Sequence, residues 1–315
     1  KDKVEELNES FKQMNTRTPR EKLNQLAGDA GRLGITSQEA VGEFVDAADK
    51  INVALDDDLG DDAVKNIGKL AQMFGDDKSK GLRGAMLATG SVVNELAQSS
   101  SASAGYLVDF TARLAGVGKQ AGLTQQQIMG FASVLDQNMQ QDETAATAMQ
   151  NLIAKIFQEP AKFAALAGKS VKEFTTLLKT DANEALLQFF GAMKKHGGFD
   201  SLAPMFDQMG IDGSRCVSVF SVMADKLADI KTAQDIANDA YAKGTSVIDE
   251  FNTQMTSAQA QLDMAKKKFK DLSIELGKEL QPVVKYTISG VSLLIKTLYQ
   301  LIVFTKGHIG TLAAF

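Results

Sequence analysis

The feature that most constrains this sequence is a motif, present three times, that turns one helix sharply into the next. Each copy has a glycine, one intervening residue and a Ser or Thr, with Glu or Gln three positions after the hydroxyl. The copies are Gly34-Ile35-Thr36 with Glu39, Gly122-Leu123-Thr124 with Gln127, and Gly168-Lys169-Ser170 with Glu173. Glycine readily takes the left-handed conformation that ends a helix, and the two polar side chains cap the next helix. The motif therefore predicts helices joined by tight corners.

The composition favours a helical protein of ordinary globular size. The 315 residues are 44% hydrophobic, which suffices for a buried core, and they include no Trp and only 4 Pro. The abundant Ala, Leu, Gln, Lys and Glu side chains lose little freedom in a helix. A net charge of -5 argues against a general nucleic-acid-binding surface, which needs a basic excess. We therefore expect protein partners and no specific nucleic-acid binding.

We expect an all-α fold in which residues 1–239 form a compact multi-helix domain. The predicted corner glycines are Gly34, Gly75, Gly122, Gly168 and Gly210. Similarity beyond the corner is clear only between the copies at Gly34 and Gly122, where Gly42 and Gly130 also match at the same offset of 88. Unrelated helices that need similar corners explain this series better than a true solenoid repeat.

A heptad pattern begins after this domain and predicts one long coiled-coil helix over residues 246–281. Apolar or small residues recur there at alternating steps of three and four. They are Ile248, Phe251, Met255, Ala258, Leu262, Ala265, Phe269, Leu272 and Leu276. Ser246 starts the predicted helix and Pro282 lies just past its end. The sequence leaves open whether this seam packs against another copy or against the preceding domain.

The region that follows, residues 283–305, predicts an amphipathic apolar helix. A polar stripe runs along it, and the opposite face carries Val284, Ile288, Val291, Ile295, Leu298 and Ile302. The helix could lie on a membrane, line a pore within an oligomer or bury against protein, and the apolar face is a possible membrane or partner face; two lysines make a lone membrane-spanning helix costly. Burial against protein is the default expectation.

No pattern in the sequence predicts an active site, a metal site or a cofactor. His196 and His308 are the only histidines and are too far apart in sequence to form a zinc-binding pair, and the single Cys216 is expected to be a small core residue. Residues 116–121 fit a dinucleotide-binding pattern, with Asp136 at the spacing of a ribose-binding acid. The preceding segment is nevertheless helical in pattern, whereas the dinucleotide motif requires a buried strand. We expect no enzymatic activity.

From about Thr18 onward the chain resembles the core region of bacteriophage tail tape measure proteins. The closest stretch lies between Met86 and Phe157. It includes Ser91-Val92-Val93-Asn94-Glu95-Leu96-Ala97, Asp109-Phe110-Thr111-Ala112-Arg113-Leu114 and Gln120-Ala121-Gly122-Leu123-Thr124. Later similarity falls at Gly210-Ile211-Asp212-Gly213-Ser214-Arg215 and at Glu275-Leu276-Gly277-Lys278-Glu279-Leu280-Gln281-Pro282.

The resemblance implies a virion component in the lumen of the tail tube, present in the host cytoplasm during assembly. It implies roles in tail assembly, in tail-length determination and in genome ejection. The implied partners are tail tube and tail tip or baseplate proteins, tail assembly chaperones, further copies of the chain, and the host membrane at ejection.

Two other functions remain open from the sequence. A membrane-inserting pore former would use the helix of residues 283–305, and a tail-associated cell-wall hydrolase would need a specific carboxylate that no motif identifies. Because the sequence opens at Lys1 on a charged helical pattern, we also expect it to be part of a longer protein.

Overall fold

A computed structural model describes residues 2–55, 62–195 and 214–277, together with the single positions 59, 204, 206, 296 and 300. These residues contain helices and no strand, which confirms the predicted all-α class. The helices are α1 (Asp2–Gln13), α2 (Arg20–Arg32), α3 (Gln38–Leu55), α4 (Ala63–Phe74), α5 (Asp76–Ser99), α6 (Ala104–Ala121), α7 (Gln125–Gln137), α8 (Asp142–Gln158), α9 (Pro160–Leu166), α10 (Val171–Thr180), α11 (Ala182–Lys195), α12 (Ser214–Asp225), α13 (Leu227–Lys243), α14 (Ser246–Met255) and α15 (258–277).

All three predicted corners form, and in two of them both the left-handed glycine and the predicted capping residues are present. Gly34, Gly122 and Gly168 have φ angles of 78°, 89° and 67°, in the left-handed region. In the second corner the amide of Leu123 donates to the carbonyl of Gly118 at 2.9 Å, the bond that closes a helix C-terminus. Complete capping boxes then start α7 and α10, each with its hydroxyl and its Gln or Glu side chain bonded reciprocally.

The first corner differs from the prediction in its capping residue. The amide of Ala40 donates to Oγ of Ser37 at 3.2 Å, so α3 begins after Ser37 rather than after Thr36. Gly75 also forms the expected corner, with φ of 82° at the end of α4. The predicted corner at Gly210 lies outside the described residues.

The core of the large unit is built where α5, α6 and α7 meet the helices that follow them. α13 packs against both α7 and α5, while α6 packs against α7 and α8. A separate cluster of aromatic rings joins α9, α11 and α12. Its successive members are Phe163, Phe189, Phe190 and Phe220, and the ring centroids of each successive pair lie between 5.4 and 6.3 Å apart. Helices distant in sequence therefore pack against one another in this unit.

The crossing of α7 and α13 is unusually close because Gly130 has no side chain. A Cβ atom at Gly130 would lie 2.4 Å from Cγ of Gln234 and 3.1 Å from its backbone nitrogen. The buried Gln234 amide donates to the carbonyl of Gln127 at 3.1 Å and exchanges two 2.9 Å hydrogen bonds with Asn183. This network satisfies its polar atoms and ties α7, α11 and α13 together.

The chain divides into two units, Lys1–Ala260 and Gln261–Phe315, and of the second the structure describes mainly residues 261–277. The first unit therefore extends past residue 239, where we expected the compact domain to end. It does so because α14 packs against α3 and α5.

Candidate interaction face

Two helices, not one, carry the predicted heptad seam. α14 ends at Met255, and α15 occupies 258–277. The interruption is a tight turn in which the amides of Thr256 and Ser257 donate to carbonyls three residues earlier, at 3.1 and 3.2 Å. Oγ of Ser257 then accepts the amide of Ala260 at 3.1 Å and so caps α15. The continuous helix expected over 246–281 is therefore broken at Thr256 and Ser257.

The first part of the seam lies inside the large unit. Phe251 and Met255 are buried, and Ile248 is half-buried. Polar contacts position α14 on α5, because Nδ2 of Asn94 donates to Oγ of Ser246 at 2.7 Å. Gly90 brings the helices close, since a Cβ there would lie only 3.1 Å from Cγ2 of Val247. These seam residues serve the fold of their own chain.

The remaining seam residues, all on α15, are exposed. Leu262, Phe269, Leu272 and Leu276 have relative exposures of 50%, 73%, 54% and 53%, and Ala258 and Ala265 are exposed as well. At about 100° per residue, these six positions fall within roughly 40° of one line along the helix. We call this stripe the interaction face. A contiguous exposed apolar stripe of this kind typically marks a binding surface.

The opposite side of α15 is buried, although it carries charged residues. Ala260, Lys267 and Asp271 have relative exposures of 0%, 8% and 7%. Met264 and Ile274, on the same side, are half-buried. The helix therefore buries the side that includes a Lys and an Asp and leaves its most apolar stripe open, the reverse of an ordinary surface helix. Heptad spacing alone could not reveal this inversion.

Lysines border the interaction face. Lys266 and Lys268 lie on either side of Phe269, at roughly 80° from the centre of the stripe, and both are exposed. Lys266 also lies 3.4 Å from the Asp263 carboxylate, an exposed pair one turn apart that contributes little to stability. The interaction face therefore has a positively charged side chain on each side of Phe269.

The second predicted face, on residues 283–305, lies outside the described residues. It comprises Val284, Ile288, Val291, Ile295, Leu298 and Ile302. Among the residues that the structure describes, no helix is both long and apolar enough to cross a membrane.

A shallow acidic groove is the other notable surface feature, and sequence reasoning missed it. Asp136, Asp142 and Glu143 line it with Tyr106 and Met139. Met139 is 92% exposed and has a φ of 57°, rare for a residue with a side chain. Burial raises the pKa of Tyr106, and the nearby carboxylates of Asp136 and Asp142 add to the rise. The groove offers negative charge but no paired nucleophile and base.

The structure also shows where the residues considered for cofactor binding, metal binding or catalysis lie. Residues 116–121 lie within α6 and complete its last turns, so they do not follow a strand as a dinucleotide site requires. Asp136 accepts the amide of Ser103 at 2.7 Å and thereby links two helix ends. Cys216 is buried, whereas His196 and His308 lie outside the described residues. Among the described positions, no three His, Cys, Asp or Glu residues are grouped to hold a metal ion.

Comparison with known proteins gives one family. A family model described as phage-related minor tail protein matches residues 2–198, more than half of the chain. The match covers α1 to α11 and includes the stretch from Met86 to Phe157 on which the resemblance mainly rested. It does not extend to the interaction face. No curated protein and no solved structure matches the chain significantly.

Proposed function

The chain belongs to the phage-related minor tail protein family, and we propose that within the phage tail it acts as a tape measure protein. The family gives a structural role in a phage tail, in association with other tail components. The finer proposal is that the chain lies in the lumen of the tail tube, helps to set tail length, and leaves ahead of the genome at ejection. Its partners would be the tube and tip proteins and the assembly chaperones.

The observation that carries this proposal is the combination of the tail-protein family match over residues 2–198 with an exposed apolar stripe on α15. A protein that acts by assembly needs a surface that stays uncovered when the chain itself has folded, and the interaction face has that property. The spacing of its residues is that of a coiled-coil seam, which suits an extended assembly inside a narrow tube. We therefore assign Ala258, Leu262, Ala265, Phe269, Leu272 and Leu276 to assembly.

Electron microscopy of tails tests the length-setting role. In the phage that encodes this chain, two extra copies of residues 262–275 inserted after Glu275 preserve the heptad register and add 28 helical residues. At about 1.5 Å per residue, a measuring helix would lengthen tails by roughly 42 Å. A Gly/Ser insertion of the same length between α5 and α6 is the control and should leave length unchanged. Unchanged tails with both insertions would exclude a ruler role for α15.

A further inference from the structure

We infer that residues 76–80, at the start of α5, form a strap that opens as a local unit and uncovers Tyr241 while the helices around it stay folded. We call these five residues the strap. Its opening is a conformational device that does not depend on the tape measure role. Flanking glycines, shallow burial and a covered polar cluster distinguish the strap from the rest of α5.

Two glycines with positive φ bound the strap. Gly75 ends α4 with a φ of 82°, and Gly81 interrupts α5 with a φ of 71° and a ψ of 158°, a combination almost restricted to glycine. An added Cβ at either position would meet no atom within 4 Å, so packing does not demand these glycines. Their backbone conformations do. Segments commonly pivot on such positions at the ends of an element.

The strap lies on the surface, whereas the remainder of α5 is central to the large unit. None of residues 76–84 is buried, and every residue from 85 to 94 is buried. A segment with few buried apolar contacts opens at a lower free energy than the core around it. Just past the strap, Nε of Arg83 donates to Oδ2 of Asp46 at 2.6 Å and holds the next turn to α3. Movement of the strap should therefore end at Gly81.

Two polar contacts hold the strap closed. Nε2 of Gln125, at the start of α7, donates to Oδ2 of Asp76 at 2.6 Å. Nζ of Lys80 lies 5.0 Å from the centroid of the Tyr241 ring, near the end of α13. Gln125 is also held from the other side, because Oγ1 of Thr89 donates to its Oε1 at 3.1 Å. Opening would thus break one hydrogen bond and one cation–π contact, and water can replace both.

The closed strap also covers polar atoms that lack a hydrogen bond. Tyr241 is only 9% exposed, and its hydroxyl makes no hydrogen bond with any residue that the structure describes. Burial raises the pKa of Tyr241, and the nearby Asp76 carboxylate adds to the rise. The buried Oδ1 of Asp77 likewise has no hydrogen-bond partner among the described residues. Because an unpaired buried polar atom is destabilising, hydration of these two atoms favours opening.

Nitration by tetranitromethane, followed for each tyrosine by mass spectrometry of the 315-residue chain, measures the opening. Gly81→Ala should raise the nitration rate of Tyr241 roughly tenfold, because Ala fits the closed backbone only with strain. Gly75→Ala, at the other hinge, should raise it several-fold. Gly84→Ala is the matched control, since an added Cβ there makes only an ordinary 3.5 Å contact within the helical part of α5. Tyr106, on α6, reports unfolding of the whole unit and should react at its original rate throughout.

An unchanged Tyr241 rate in Gly81→Ala would overturn the proposal. Equal acceleration by Gly84→Ala would overturn it too, because the effect would then not come from the hinge. A parallel rise at Tyr241 and Tyr106 would show that the strap moves only when the whole unit unfolds, which also contradicts the proposal. Faster nitration of Tyr241 alone, in both hinge variants and not in the control, would uphold it.

Discussion

Gly130→Ala should destabilise the large unit, although Ala is normally preferred to Gly in a helix. The new Cβ would lie 2.4 Å from Cγ of Gln234, 3.1 Å from its backbone nitrogen and 3.2 Å from its Cα. The side-chain atom can move, but the two backbone atoms belong to α13 and can withdraw only if that helix shifts. Gly42, the counterpart of Gly130 at an offset of 88, has no atom within 4 Å of an added Cβ. The two positions therefore form a matched pair.

The expected change in folding stability for Gly130→Ala has three contributions. Replacing a mid-helix glycine by alanine ordinarily stabilises by about 0.5–1 kcal/mol. Overpacking a close contact costs about 1–3 kcal/mol. If Gln234 moves and loses its bonds to Gln127 and Asn183, each polar group left buried and unsatisfied costs about 1–3 kcal/mol more. We expect Gly130→Ala to lose about 3 kcal/mol overall, and Gly42→Ala to gain up to about 1 kcal/mol.

Thermal unfolding followed by far-ultraviolet circular dichroism measures the difference. Gly130→Ala should lower the midpoint by on the order of 6 to 10 °C, whereas Gly42→Ala should leave it unchanged or raise it by a few degrees. Urea unfolding of both variants should rank them in the same order. A Gly130→Ala protein as stable as the original chain would refute the close crossing of α7 and α13.

The buried and exposed parts of the predicted heptad seam should respond differently when a side chain is truncated. Phe251→Ala should cost about 3–5 kcal/mol of folding stability because this ring is buried. Phe269→Ala should leave the thermal midpoint nearly unchanged, because this ring is 73% exposed. Ser170→Ala should cost about 1 kcal/mol in urea unfolding, since it removes the cap of α10. Burial alone raises the pKa of Asp46, but hydrogen bonds from a neighbouring Lys and Arg outweigh it and lower that pKa in the folded state. The stability that the ionised Asp46 carboxylate contributes is therefore fully present above pH 3.8 and is lost as the pH falls through the lower folded-state pKa. Asp46→Asn should therefore reduce the loss of thermal stability on acidification.

Local chemistry made the helix corners predictable. The reciprocal bonds of Thr124 with Gln127 and of Ser170 with Glu173 lie within one turn, so the residues that form them are close in sequence. The prediction for the first corner was less accurate because Thr36 and Ser37 carry adjacent hydroxyls, and either could cap α3. The structure selects Ser37, and nothing in the spacing of the corner favours it.

Long-range contacts explain why the seam was predicted only in part. Its residues were identifiable from spacing, but Ser246 and Val247 contact Asn94 and Ser91, more than 150 positions earlier in the chain. No local pattern reveals such a partner. The break at Ser257 was missed because it contains neither Gly nor Pro, the usual signals of a helix end.

The break after Met255 places one heptad pattern under two separate evolutionary constraints. Before the break, Phe251 and Met255 must fit α3 and α5 of the same chain, so changes there should be compensated within that chain. After it, the exposed stripe of α15 is constrained only by whatever it binds, and its sequence can diverge together with that partner. If that stripe is an assembly surface, exchange of its exposed residues alone between related phages would transfer assembly specificity without altering the buried side of α15.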